Sequence, residues 1–202
     1  GLGPPPPLAM IRAFIAVELP EGLRQEVAAF QGELKSAGAD VKWVDPANLH
    51  LTLKFLGPAA EDQVPSLTEA LSRACAGAAP FTLTLEGIGA FPRTTSPRVI
   101  WVGVQEGKEP LVALAGQLEQ ACSALGFPAE ERPFSAHLTI GRTRSPQGIA
   151  RLIKKLQVAE FRGRTPAQAD RLVLFQSTLG PKGPTYTPLA EIPFTAGAGA
   201  GS

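Results

Sequence analysis

One tetrapeptide pattern occurs twice in this chain. His50-Leu51-Thr52-Leu53 returns as His137-Leu138-Thr139-Ile140, and the two copies hold the only histidines present. Ordinary residue usage gives such a match after a second histidine on the order of once in a thousand. Both copies lie in alternating apolar and polar runs, so both are read as strands. Side chains alternate across a strand, so each histidine shares a face with the threonine two places on. Leu51, Leu53, Leu138 and Ile140 then turn to a core. The repeat therefore demands two comparable strands, each polar on one face and apolar on the other, with a cleft wherever the polar faces meet.

The rest of the chain supplies the frame. Arg12–Leu19 reads as a strand that Pro20 ends. Glu21–Lys35 has Leu23, Val27, Phe30 and Leu34 at helical spacing. Val41–Val44 is a short strand, and Leu49–Leu56 is a longer one expected to close at Gly57-Pro58. Gln63–Ala76 reads as a helix, Phe81–Ile88 and Arg98–Val104 as strands, and Leu111–Leu125 as a helix stopped by Gly126. Ser135–Ile140 is a strand expected to end at Gly141. A short helix comes next over Ile149–Leu156. Leu172–Thr178 and Thr185–Ile192 are strands joined by a turn at Gly180–Pro184. Strands outnumber helices and do not alternate with them one for one. The class expected is α+β with mainly antiparallel sheets.

Apolar residues make up 44% and charged residues 18%, which indicates a globular chain. The net charge of +1 argues against a protein that coats nucleic acid; any RNA would be held at a local site. Cys75 and Cys122 are expected to be free, buried thiols rather than a disulfide. No apolar run is long enough to cross a membrane, and no leader with a charged then an apolar region is visible. A cytoplasmic protein is expected. Residues 1–9, with consecutive prolines at 4–7, read as an N-terminal extension or cloning remnant before Met10. Residues 195–202 read as a flexible Gly/Ala/Ser tail, leaving 10–194 as a single two-lobed domain.

Two imidazoles on opposite sides of a phosphorus atom can act as general base and general acid, since their unperturbed pKa of about 6.5 lets one be neutral and the other charged. Thr52 and Thr139 would donate hydroxyl hydrogen bonds to the phosphate oxygens. Lys54 shares the face of His50 and Thr52 and is a candidate phosphate ligand. Arg142 is another, although strict alternation turns it away from the histidine face. Phe55 shares the face of Leu51 and Leu53 and is expected in the core. Trp43 and Trp101 are expected in the core or at its rim, with stacking on a base as the alternative. Arg162, Arg164 and Arg171 are expected on a solvated face, with a contribution to RNA binding as the alternative. The histidines lie 87 positions apart (137 minus 50), a spacing foreign to zinc pairs. No GxSxG elbow and no GxxxxGK[ST] loop occurs. No metal and no cofactor are expected.

The paired H-x-T-hydrophobic motifs resemble those of the two-histidine (2H) phosphoesterase superfamily. The longer forms, His50-Leu-Thr-Leu-Lys-Phe-Leu-Gly57 and His137-Leu-Thr-Ile-Gly-Arg142, are similar to the bacterial and archaeal RNA 2',3'-cyclic phosphodiesterases, also called 2'-5' RNA ligases. The opening strand Met10-Ile-Arg-Ala-Phe-Ile-Ala-Val-Glu18 is similar too. This resemblance implies two pseudo-symmetric lobes, each an antiparallel sheet with outer helices, and an active cleft between them. It implies hydrolysis of a terminal 2',3'-cyclic phosphate to a 2'-phosphomonoester, without a metal. His50 would be the general acid and His137 the general base, with Thr52, Thr139 and Arg142 on the phosphate. A 5'-hydroxyl end in place of water would give 2'-5' ligation. The expected partner is RNA with a cyclic phosphate end, tRNA halves among the candidates, and the expected state is a monomer. Alternatives are a phosphodiesterase for 2'-5' oligonucleotides or for small cyclic phosphates such as ADP-ribose 1'',2''-cyclic phosphate, and an RNA-binding module without turnover.

Overall fold

The computed structural model describes residues 1–5 and 9–196. Residues 6–8 of the expected extension and 197–202 of the expected tail lie outside the described residues. Ala9 accepts a hydrogen bond from the Glu61 amide, and Thr195 and Ala196 donate backbone bonds to Cys75 and Ala78. These bonds tie Ala9, Thr195 and Ala196 to the fold.

The elements are β1 (Met10–Glu18), α1 (Glu21–Lys35), β2 (Val41–Trp43), β3 (His50–Ala60), α2 (Val64–Cys75), β4 (Phe81–Leu83), β5 (Leu85–Arg93), β6 (Ser96–Val104), α3 (Lys108–Ala124), β7 (His137–Thr143), α4 (Ile149–Val158), β8 (Ala167–Ala169), β9 (Arg171–Gly180) and β10 (Gly183–Pro193). Two four-stranded sheets have the orders β10-β9-β1-β3 and β2-β7-β6-β5, and β4 pairs with β8 alone. Their pairings are antiparallel. The α+β class with two sheet-based lobes is as the sequence predicts.

Alternation fixes each register. Ala13, Ile15 and Val17 of β1 join one continuous core with Leu51, Leu53, Leu138 and Ile140 and the inner faces of all four helices. Burying each such leucine or isoleucine contributes about 1.5–3 kcal/mol, so a one-residue slip of either motif strand would expose several of them at once. Phe14 and Ala16 point to the opposite face. With Val173 and Phe175 of β9 they form a second, smaller cluster against Tyr186.

Several boundaries differ from the sequence reading. β3 runs through Gly57 and Pro58 to Ala60. Gly57 takes a left-handed φ of 70°, which suits glycine, and Pro58 lies on an edge strand, where a missing N–H is tolerated. β7 likewise continues through Gly141 to Thr143. The single strand expected over 81–88 is two, because β4 leaves to pair with β8. β8 is a three-residue strand, too short to show periodicity. Cys75 and Cys122 are free and buried, and burial pushes both thiols up to about 11. β10 is an outer strand and carries Pro184, Pro188 and Pro193. Among the described residues, no helix is long and apolar enough to cross a membrane.

Candidate active site

Both motif strands break their alternation at the same place. β3 sets Thr52 opposite Ala16 and Lys54 opposite Ile15, leaving Leu53 as an extra residue. β7 sets Thr139 opposite Trp101 and Gly141 opposite Ile100, leaving Ile140 as an extra residue. Each is a β-bulge, in which two residues oppose one on the partner strand and the later side chains change face. The motif histidine and threonine precede the bulge and are half-buried.

The bulge corrects three expectations. Arg142, which strict alternation turned away, comes to the histidine face, and its charge bears on both His137 and Tyr186. Phe55, expected in the core, is 62% exposed and packs against Phe14, with ring centres 6.1 Å apart. Lys54, expected as a phosphate ligand, turns the other way and is 2% exposed. Its ammonium pairs with Glu119 of α3 at 2.8 Å and donates to the Pro128 carbonyl at 2.8 Å. A lysine held so is not on the cleft face.

Polar side chains from elsewhere clamp each bulge. Glu130 lies 3.9 Å from the Lys54 ammonium and accepts from the Phe55 amide at 3.4 Å. At the second bulge, the buried Gln31 amide of α1 donates to the carbonyls of Ile140 and Val44, each at 2.9 Å. A buried carbonyl left unpaired costs about 1–3 kcal/mol, so these contacts help hold a distorted ladder in one shape.

Each histidine has an aromatic neighbourhood. His50 lies 4.7 Å from Phe175 and 5.9 Å from Tyr186. His137 lies 4.9 Å from Phe91, edge to face, and 5.8 Å from Trp101. Trp101 is half-buried against Gly89, where an added Cβ would come within 2.2 Å of its ring. The His50 Nδ1 faces the Asn48 carbonyl at 3.1 Å. His137 repeats this relation to Ser135 in a looser geometry, and its buried Nδ1 makes no full hydrogen bond. An Nδ1 turned to the backbone two residues back leaves Nε2 free to meet a ligand.

Burial holds the His50 pKa below the ordinary imidazole value; the Asn48 carbonyl and Glu18 oppose that, and Arg24 adds to it. Burial also lowers His137, with the Ser135 backbone opposing and Arg142 adding. Tyr186 is raised by burial, against the pull of Arg142. The Arg142 charge thus reaches a histidine in one sheet and a tyrosine in the other, while Tyr186 abuts His50. Tyr186 and Arg142 connect the surroundings of His50 and His137, and Thr52 and Thr139 lie on the same strands two residues after their histidines.

Phe91, Phe175 and Tyr186 escaped the sequence reading. Leu172–Phe175 is apolar throughout, which hides which face meets the cleft. Trp43 packs on Gly141, where an added Cβ would approach its ring to 2.8 Å. Arg171 faces Glu18, Asp170 and Glu191. Arg162 and Arg164 line a cavity of about 1040 Å3 that also holds Glu86 and Glu106 and neither histidine.

The chain matches the model of the LigT-like phosphoesterases twice, over residues 17–101 and 102–186. Each match contains one motif. An RNA 2',3'-cyclic phosphodiesterase of Methanothermobacter thermautotrophicus is 39% identical over 180 residues, covering 88% of this chain and 95% of that one. One from Thermotoga maritima is 35% identical over 188 residues, covering 93% and 97%. Among solved structures, a Thermus thermophilus protein superposes with a TM-score of 0.77 at 30% identity, covering 92% of this chain and 98% of that one. E. coli LigT complexed with 3'-AMP gives 0.75 at 26% identity, covering 93% and 99%. The chain therefore belongs to the LigT-like phosphoesterase family of the 2H superfamily.

Proposed function

We propose that this protein hydrolyses RNA 2',3'-cyclic phosphate ends to 2'-phosphomonoesters. The observation that carries the reading is the repeated strand, bulge and histidine: two imidazoles, each beside a threonine, presented to one cleft with Arg142. The relatives named RNA 2',3'-cyclic phosphodiesterase support the same substrate.

In this reading His137 takes a proton from water as its oxygen attacks phosphorus. The P–O3' bond breaks, and His50 gives its proton to O3'. The products are a 2'-phosphomonoester and a 3'-hydroxyl, with the proton on His137 returned through solvent. Thr52 and Thr139 donate to the non-bridging oxygens, and Arg142 offsets the charge. The surroundings favour this division of labour. Glu18 favours a charged His50, as an acid requires, and Arg142 favours a neutral His137, as a base requires. Arg24 works against the first of these effects. A bound phosphate anion favours the charged imidazole, so substrate itself helps load the acid. A 5'-hydroxyl end replacing water would give a 2'-5' linkage from the same geometry, with tRNA halves among the candidate substrates. A monomer working in the cytoplasm remains the expected setting.

The test is incubation with an oligonucleotide ending in a 2',3'-cyclic phosphate, in the presence of EDTA, followed by identification of the product. A 2'-phosphate formed despite the chelator is expected. A 3'-phosphate product would overturn the assignment of the leaving group. Loss of turnover on chelation, restored by a divalent metal, would overturn the mechanism.

A further inference from the structure

Arg24 stands one turn into α1, beside the turn at Pro46–Asn48 that leads into His50. It lines a groove of about 360 Å3 with Glu21, Gln25, Ala28, Pro46 and Ala47. Its Nε is buried and has no hydrogen-bond partner. Arg73 pairs with Glu69, Arg144 with Asp40, and Arg171 with acidic neighbours on three sides. Among the described residues other arginines, Arg142 among them, are as free of an ion pair as Arg24, but Arg24 combines that with a buried nitrogen lacking a partner. Among the described residues no carboxylate lies within ion-pair distance of Arg24, although Glu21 stands exposed on the rim of the groove. A half-buried guanidinium with an idle donor is costly unless an anion completes it.

The position decides which anion. The Nδ1 of His50 points at Asn48, the last residue of the turn whose Pro46 and Ala47 line this groove. Its Nε2 lies on the opposite side of the ring and is the nitrogen that the mechanism proposed above gives to the reacting phosphate. Asn48 is itself fixed, donating from Nδ2 to the Pro184 carbonyl at 2.9 Å. A phosphate beside Arg24 is therefore a neighbour of the reacting group and not the group itself. Guanidinium suits such an oxygen pair through two parallel hydrogen bonds.

We propose that the groove between α1 and the Pro46–Asn48 turn is a second anion subsite, in which Arg24 binds the phosphodiester one nucleotide upstream of the cyclic end. The inference rests on the functional reading above and deepens it: the protein prefers a polynucleotide end to a cyclic mononucleotide.

The experiment compares adenosine 2',3'-cyclic phosphate, which lacks the upstream phosphodiester, with a dinucleotide ending in the same group. Wild-type protein is expected to favour the dinucleotide in kcat/KM. Arg24→Gln is expected to cut that preference about tenfold, chiefly through KM, the scale of one charge-assisted hydrogen bond. The logarithmic salt dependence measured on the dinucleotide should become shallower by about 0.7, the value for one single-strand phosphate contact. Arg24→Lys keeps the charge and should restore most of the preference; it also guards against a folding defect in the first variant. Equal losses on both substrates would overturn the subsite, because Arg24 would then serve the reacting phosphate or the fold. No loss on either would overturn it as well. Wild-type protein that turns over neither substrate would overturn the functional reading instead. In that case binding of a dinucleotide ending in a 3'-phosphate, wild type against Arg24→Gln, still decides the subsite: equal affinities would sink it, and weaker binding by the variant supports it.

Discussion

β3 and β7 place histidine, threonine and bulge at the same offsets, yet the residues just past the bulge differ in kind. The buried position is Lys54 in one strand and Gly141 in the other. The cleft position is Phe55 in one and Arg142 in the other. The first difference arises from the sheets. β7 lies between β6 and β2, so Trp43 and Val41 of β2 fill the space beside Gly141. β3 is an edge strand, and Lys54 bridges its open flank to Glu119 and Pro128. The second difference concerns chemistry: a repeated scaffold delivers an aromatic side chain from one lobe and a cation from the other. Symmetry of backbone is compatible with division of roles between side chains.

The largest expected effect tests the shared part. His50→Ala and His137→Ala should each lower kcat/KM by about a thousandfold on a cyclic-phosphate oligonucleotide. A variant of either that keeps near wild-type rate would remove that histidine from the mechanism. The cleft positions come next. Arg142→Ala should cost about a hundredfold in kcat/KM, and Phe55→Ala only several-fold. Losses of equal size would erase the proposed division between the lobes.

The buried positions should show themselves in stability. Lys54→Met leaves Glu119 without its partner and should cost about 3 kcal/mol in urea unfolding. Gly141→Ala forces a methyl against Trp43 and should cost about 2 kcal/mol. If Lys54→Met unfolds at the wild-type urea midpoint, the ion pair is not what secures the flank of β3.

The smallest effect concerns pH. Both imidazoles are held below their ordinary value of 6.5, so in the free protein the window with one charged and one neutral lies below that pH. A bell-shaped kcat/KM profile with its maximum below about pH 6.5 is expected, reporting two coupled macroscopic values. The kcat profile should peak higher, because the bound phosphate favours the charged form. Arg142 lowers His137, so Arg142→Gln should move one limb of the kcat/KM profile upward. A kcat/KM maximum above pH 8 in the wild-type protein would contradict the burial of these groups.

The motif, the helices and the α+β class were legible in the sequence because each rests on a period. α1 was bounded to the residue by Pro20 before it and the spacing of Leu23, Val27, Phe30 and Leu34 within it. The bulges were not legible. A strand pattern is read by parity, and one inserted residue reverses parity without a mark of its own. That single omission misplaced Lys54, Phe55 and Arg142 together. Gly57 and Gly141 were read as stops because glycine weakens strands, but edge position in one case and the close packing of Trp43 in the other keep each inside its strand. Arg24 was invisible for a different reason: its interest lies in a missing partner, which only the tertiary arrangement reveals.

The prolines of β10 have a consequence for encounters between molecules. A proline in a strand has no N–H to give a neighbour, and the outer strand β10 carries three, Pro184, Pro188 and Pro193. A second chain approaching that edge would find three donors missing from the row that extends a sheet, and the Pro184 carbonyl already taken by Asn48. This margin of the molecule is a poorer template for aggregation, and the defence is covalent.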